Sequence, residues 1–259
     1  MFYVSIYILV FVIYSSAESL FSLLPEGDDK ILGGTDAPDG SIKYQVSLQN
    51  LGSHFCGASV IDKKWVITAA HCTTGRAADS FKVVVGINLL NAGGQKYVPD
   101  KVIIHPDFDK KLVTNDISLI KINKGIEFNK RVQPIALPTE ETQAGDTLTV
   151  SGWGRTENGG IIPNKLQVVN VTATTLLECQ LKYALFKTPV RESNLCTEAP
   201  PHEGSCQGDS GGPLVNKETL AGLVSWGTSE CGDSMKNPDV NTNVFYYKEW
   251  IKETMEENE

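Results

Sequence analysis

The chain has no Cys-x-x-Cys pair, no run of five or six basic residues, and no internal repeat or low-complexity tract. The first absence argues against a structural zinc. The second, with a net charge of −8, argues against nucleic acid and anionic membrane surfaces as partners. The third leaves 259 residues to one large domain or two ordinary ones, enough for a sizeable buried core. Nor is any apolar run long enough to span a bilayer, which takes about 20 residues. The longest, Ile6 to Tyr14, is followed by the small residues Ser15-Ser16-Ala17 and reads as a secretory signal peptide over residues 1–17, although no Lys or Arg precedes it.

Six cysteines are present, Cys56, Cys72, Cys179, Cys196, Cys206 and Cys231, all downstream of that segment. An even number in a chain bound for an oxidising compartment predicts three disulfides. Counting alone leaves about 15 pairings open. Residues 18–30 form a short polar stretch ending Gly27-Asp28-Asp29-Lys30, and the apolar Ile31-Leu32-Gly33-Gly34 follows abruptly. A basic residue before a new apolar start points to proteolytic processing, with an ordinary exposed linker as the alternative.

Short β-branched or aromatic runs then recur between turn residues: Trp65–Thr68, Phe81–Val85, Lys101–Ile104, Ile117–Ile122, Thr147–Val150, Leu166–Thr174 and Leu220–Trp226. Many short strands separated by Gly, Pro, Asn and Asp predict an all-β barrel or sandwich. No sustained helical pattern occurs before the end, where Tyr247, Trp250, Ile251 and Met255 repeat at helical spacing and predict a terminal amphipathic helix.

The sharpest local signal is Gly208-Asp209-Ser210-Gly211-Gly212-Pro213. Glycines on both sides allow a tight turn with the serine hydroxyl exposed and the backbone open to close approach. A serine hydroxyl needs a base to become a nucleophile, and histidine is the usual one. Of four histidines, His71 in Thr68-Ala69-Ala70-His71-Cys72 has the most constrained setting, beside a cysteine at a predicted strand end. His54, His105 and His202 read as surface or structural residues. Asp116 opens the apolar run Ile117-Ser118-Leu119-Ile120, an expensive place for an acid unless it is paired. It is the candidate to orient the imidazole.

Thr68–Cys72, Asp116–Ile120 and Gly208–Pro213, in that order and with Ile31–Gly34 upstream, resemble the chymotrypsin and trypsin family of serine proteases. The resemblance covers residue 31 to the end. It implies two packed antiparallel β-barrels with a C-terminal α-helix, and a cleft holding His71 as base, Asp116 and the nucleophile Ser210. It further implies the pairs Cys56–Cys72, Cys179–Cys196 and Cys206–Cys231, and an oxyanion hole from the N–H groups of Gly208 and Ser210. Residues 1–17 would be the signal peptide and 18–30 an activation propeptide. The peptidase domain would run over 31–259, its first barrel to about 140, its second over about 141–245 and its helix over about 245–256. Cleavage after Lys30 would free the Ile31 ammonium to pair with Asp209. Leu32 replaces the commoner valine.

At the primary pocket the chain departs from the trypsins. Gly204 stands where they carry an aspartate, Asp239 stands on a wall that is usually glycine, and Asn241 replaces a common tyrosine. With Ser205 and the substrate-pairing Ser225-Trp226-Gly227, this arrangement resembles arthropod chymotrypsins and a broad-specificity crustacean collagenolytic enzyme. It implies large apolar P1 side chains, with Arg or Lys through Asp239 as the alternative. The stretch from Gly86 to Val98, which supplies calcium ligands in some relatives, holds neither Asp nor Glu, so no calcium site is expected there; the resemblance implies no other metal and no cofactor. The partners implied are protein or peptide substrates, a trypsin-like activator and protein inhibitors, acting on a secreted monomer without nucleic acid or membrane. No clip-like or kringle module precedes Ile31, which favours a digestive type of enzyme. Asn170-Val171-Thr172 is a glycosylation sequon whose use depends on the face of the strand it occupies. The rival from another class is an inactive homologue serving as a binding module. An α/β-sheet esterase would need its serine before its histidine.

Overall fold

The structure is a computed structural model that describes residues 33–186, 188–228 and 230–259. The expected signal peptide and propeptide, with Lys30 and Ile31, lie outside the described residues. Among the described residues fourteen strands form two antiparallel, barrel-like seven-stranded sheets, so the two-barrel expectation holds.

The first sheet runs in the order β6 (Gln95–Tyr97), β5 (Lys82–Val85), β2 (Gln45–Asn50), β3 (Ser53–Val60), β4 (Trp65–Thr68), β8 (Ser118–Lys121) and β7 (Lys101–Ile104). Its β-branched and aromatic residues suit a pleated, buried surface. Val46, Leu48, Val60, Val66, Phe81, Val83, Val85 and Ile120 fill its interior. Each such side chain stabilises the fold by roughly 1.5–3 kcal/mol on burial.

The second sheet begins with β1 (Thr35–Asp36), which pairs with β10 (Gln167–Ala173). It continues through β11 (Asn194–Glu198), β14 (Asp239–Asn243), β13 (Thr219–Trp226), β12 (Pro213–Asn216) and β9 (Thr147–Gly152), and pairing of β9 with β10 closes the ring. Leu148, Val150, Val169, Val171 and Leu214 lie inside it.

A third apolar cluster joins the barrels. Trp65, Ile67, Ile117 and Leu119 of the first pack with Val215, Leu220, Leu223 and Val244 of the second. The terminal helix, Lys248–Glu257, adds Ile251 to this cluster, and Tyr247, the first residue of the helical sequence pattern, is its N-cap. Besides it, α1 (Ala70–Thr73) and α2 (Leu176–Lys182) interrupt the strands, so the terminal helix is α3.

The sequence reading missed α2. Its helix signal is a capping box, in which the Thr175 hydroxyl accepts from the Glu178 N–H and the Glu178 carboxylate accepts from the Thr175 N–H. Apolar periodicity could not find it, because Leu177 and Leu181 face solvent and only Cys179 is buried.

Candidate active site

Strand β4 delivers His71. Beyond Thr68 the buried Ala69 and Ala70 leave room for a single helical turn, and α1 rather than a strand end carries the imidazole. The Cys56–Cys72 disulfide anchors that turn to β3. The Cys56 and Cys72 sulfurs lie close to the His71 ring, but both are consumed in the disulfide and neither is a thiolate that could hold a metal.

Asp116 comes from the loop before β8. Asn115 ahead of it adopts a left-handed conformation with φ 54°, which Asn tolerates better than most residues. Its side chain accepts from the Tyr247 hydroxyl at 2.8 Å and donates to the Asp107 carbonyl at 2.8 Å. The Asp116 carboxylate is thereby held in the interior, 3% exposed, where it meets three donors. The His71 backbone N–H lies 2.8 Å from Oδ1, while His71 Nδ1 at 2.7 Å and Ser225 Oγ at 2.6 Å converge on Oδ2. Thr242 Oγ1 donates to the Asp116 carbonyl at 2.7 Å. A carboxylate beside Nδ1 assigns the proton to that nitrogen and leaves the Nε2 lone pair open.

Ser210 lies in the turn before β12. Within the turn Asp209 N donates to the Cys206 carbonyl and Gly212 N to the Asp209 carbonyl. The Ser210 carbonyl accepts from Gly57 N of the first barrel at 2.8 Å, and Gly211 N donates to Val224 of the second at 2.7 Å. Such contact requires glycine: a Cβ on Gly57 would stand 2.7 Å from the Gly212 Cα. The Cys72 sulfur lies 3.6 Å from His71 Nε2 and 3.5 Å from the Ser210 carbonyl oxygen, so imidazole and serine flank one atom. Three residues far apart in sequence are thus gathered between the barrels.

Among the described residues, neither the Gly208 N–H nor the Ser210 N–H has a partner. Gly208 has φ +105°, and its carbonyl accepts from His54 Nε2 at 2.9 Å. His54 Nδ1 faces Ser47 Oγ at 2.8 Å, and Gln49 Nε2 donates to that same oxygen at 3.1 Å. Burial pushes the His54 ring down to about 4, so it is neutral near pH 7, with Nε2 carrying the proton and Nδ1 accepting from the serine. The sequence offered no signal for this chain of contacts, because the Gly208 carbonyl is 154 residues away.

Asp209 is fully buried. Its carboxylate accepts from Gly154 N at 2.7 Å and Cys206 N at 3.0 Å, and burial still pushes it up to about 6. Gly152 and Gly154 make room for it, since a Cβ on either would overlap the carboxylate. No cation among the described residues reaches it.

Ser205, Ser210, Ser225, Trp226, Gly227 and Asp239 surround a cavity of about 170 Å³. Behind it Gly204 has φ +126°, and a Cβ there would lie 3.4 Å from Asp239 Oδ2. The Asp239 carboxylate therefore projects from the wall towards the base. Ser205 Oγ donates to it at 3.0 Å, and burial pushes it up to about 6. A Cβ on Gly227 would come within 2.8 Å of the same group. Asn241 instead points into the barrel, donating to Leu195 and Thr197, and takes no part in the cavity.

All three disulfides join the pairs the resemblance implied, Cys56–Cys72, Cys179–Cys196 and Cys206–Cys231. The family model described as Trypsin matches residues 31–251. Among similar proteins, "Trypsin epsilon" of Drosophila erecta is 36% identical over 236 residues, 91% of each chain. "Chymotrypsin-2" of Vespa crabro is 39% identical over 223 residues, 86% of this chain and 98% of its own. "Serine protease 1" of Rattus norvegicus is 40% identical over 238 residues, 90% of this chain and 93% of its own.

Proposed function

The chain belongs to the trypsin family and is a serine endopeptidase, and on that premise we propose that Ser210, His71 and Asp116 carry its chemistry. The observation that carries this reading is the convergence of His71 Nδ1 and Ser225 on Asp116 Oδ2, beside a serine turn with two N–H groups that have no partner among the described residues.

Ser210 Oγ attacks the scissile carbonyl while His71 Nε2 takes its proton. Asp116 fixes the tautomer and stabilises the imidazolium without taking the proton itself. The developing oxyanion is met by the N–H groups of Gly208 and Ser210, each worth about 3–4 kcal/mol of the barrier in such sites. Imidazolium then protonates the leaving amine, and an acyl-enzyme remains on Ser210. Water, deprotonated by His71, releases the acid by the same steps in reverse.

The protein is secreted as a zymogen through residues 1–17 and activated by a trypsin-like protease cleaving after Lys30. The new Ile31 ammonium supplies the buried Asp209 with the cation it lacks among the described residues, ordering Gly208 and the pocket. Substrates are proteins and peptides, protein inhibitors bind the same cleft, and the enzyme acts as a monomer. Large apolar side chains occupy P1, because Asp239 is already engaged by Ser205 and a satisfied carboxylate pulls less on a cation. A second reading, Arg or Lys at P1, rests on the Asp239 carboxylate lining the cavity.

The test is hydrolysis of matched peptide substrates with P1 Phe, Leu and Arg, before and after cleavage at Lys30, with Ser210→Ala as control. Activity that appears on cleavage, favours Phe or Leu and vanishes in Ser210→Ala is expected. No activity on any substrate after confirmed cleavage would identify an inert binding module instead.

A further inference from the structure

The sequon at Asn170 lies on β10, whose residues alternate strictly between core and solvent. Val169 and Val171 are packed inside the second barrel, while Asn170 and Thr172 are exposed on its outer face. Across the strand pair stand Thr149 opposite Asn170 and Thr147 opposite Thr172, so this outer face is polar. Thr149 Oγ1 donates to Asn170 Oδ1 at 3.1 Å. The Asn170 Nδ2 has no partner among the described residues and is the atom left open. Beside it is a shallow hollow of about 200 Å³ lined by Gly33, Thr35, Val168, Val169, Asn170 and Glu203.

We propose that Asn170 carries an N-linked oligosaccharide whose first N-acetylhexosamine lies over the hollow bordered by Gly33 and Glu203. The sugar's anomeric carbon forms a bond to Nδ2 as its bond to the diphosphate oxygen of a lipid-linked oligosaccharide donor breaks. Nδ2 loses one proton, and the lipid diphosphate leaves with the electron pair. Thr172 completes the acceptor sequon, and an extended, outward-facing strand imposes no packing conflict on the product. The Thr149 contact survives, since it uses the amide oxygen. Modification requires entry into the secretory route and therefore rests on the secretion reading.

The full chain, residues 1–259, is expressed in an insect-cell secretory host, alone and with an unrelated leader ahead of Met1. Sugar is read on cell-associated and secreted protein alike, so a variant that folds poorly still reports. Expected is one gel step that collapses on peptide-N-glycosidase treatment, with Asn170 recovered as Asp by mass spectrometry. Thr172→Val removes the step and Thr172→Ser keeps it. Sugar only with the added leader would support the site while refuting the secretion reading. Unmodified Asn170 in protein delivered by the added leader would overturn the proposal.

Discussion

Ser225 Oγ stands 2.6 Å from Asp116 Oδ2, although the two residues are 109 apart in the chain. The contact ties the second barrel to the acid of the first. It exists because β13 is irregular at this point: Val224 pairs with Asn241 and Trp226 with Val240, leaving Ser225 in a bulge that turns its side chain towards the cleft.

Removing that donor tests whether Asp116 needs all three of its hydrogen bonds. A hydrogen bond to a charged group is worth about 1.5–3 kcal/mol, part of which water can replace. Ser225→Ala is therefore expected to lower kcat about tenfold with a smaller change in KM. Steady-state kinetics on one peptide substrate checks this, and a kcat within twofold of the parent would reduce Ser225 to a space-filling role.

His54 gives a prediction on stability. Its folded pKa, about 4, is depressed below the ordinary 6.5, so the unfolded chain takes up the proton first as pH falls. Stability from the neutral ring is thus complete above pH ~6.5 and is lost as pH falls towards ~4, by about 2 kcal/mol at pH ~5. His54→Gln cannot titrate and should lose less between pH ~7 and ~5 in denaturant unfolding. Equal pH dependence in parent and variant would show that the ring is already solvated.

These two residues mark where sequence legibility ended. His71, Asp116 and Ser210 could be named because their neighbours, small residues, an apolar strand and flanking glycines, are local requirements written beside them. Strands such as Trp65–Thr68 and Lys101–Ile104 were bounded to the residue, because β-branched runs between turn formers report a local preference. Ser225 was read only as part of a substrate-pairing strand, since a bulge that aims one side chain at a distant carboxylate depends on register. His54 reads from sequence as a surface or structural residue, and its link to Gly208 needs both barrels docked. The pocket residues Gly204 and Asp239 were legible as types, whereas the direction of the Asp239 carboxylate was not.

Gly154 tests the buried seat of Asp209. A Cβ there would overlap the carboxylate, and overpacking of this kind destabilises by about 1–3 kcal/mol. In a domain of this size that lowers Tm by roughly 2–12 °C. Gly154→Ala, cleaved after Lys30, is expected to fold yet to show a small titratable fraction of active sites. Thermal unfolding together with active-site titration separates loss of fold from loss of the activated state. Full titration with an unchanged Tm would mean that the Asp209 carboxylate is not held where Gly154 N now meets it.

Asp239 decides between the two readings of the pocket, and its titration offers a way to ask. Burial raises the group to about 6, so it changes charge in a range where rates can be measured. The quantity to follow is the ratio of kcat/KM for a P1 Arg substrate to that for its P1 Phe counterpart, because any pH effect common to the two substrates cancels. If Asp239 reaches the substrate, the ratio rises through pH ~6 as the carboxylate ionises, by about tenfold for an interaction of ~1.4 kcal/mol. The stability sign is opposite. An acid whose folded pKa is raised stabilises the fold only while protonated, so Asp239→Asn should gain about 3 kcal/mol over the parent at pH ~8 and only about 0.5 kcal/mol near pH ~4. A ratio that rises in the parent and stays flat in Asp239→Asn would make the carboxylate a partner for basic P1 side chains. A flat ratio in both, with the stability difference intact, would leave Asp239 bonded to Ser205, shortening the pocket for apolar residues.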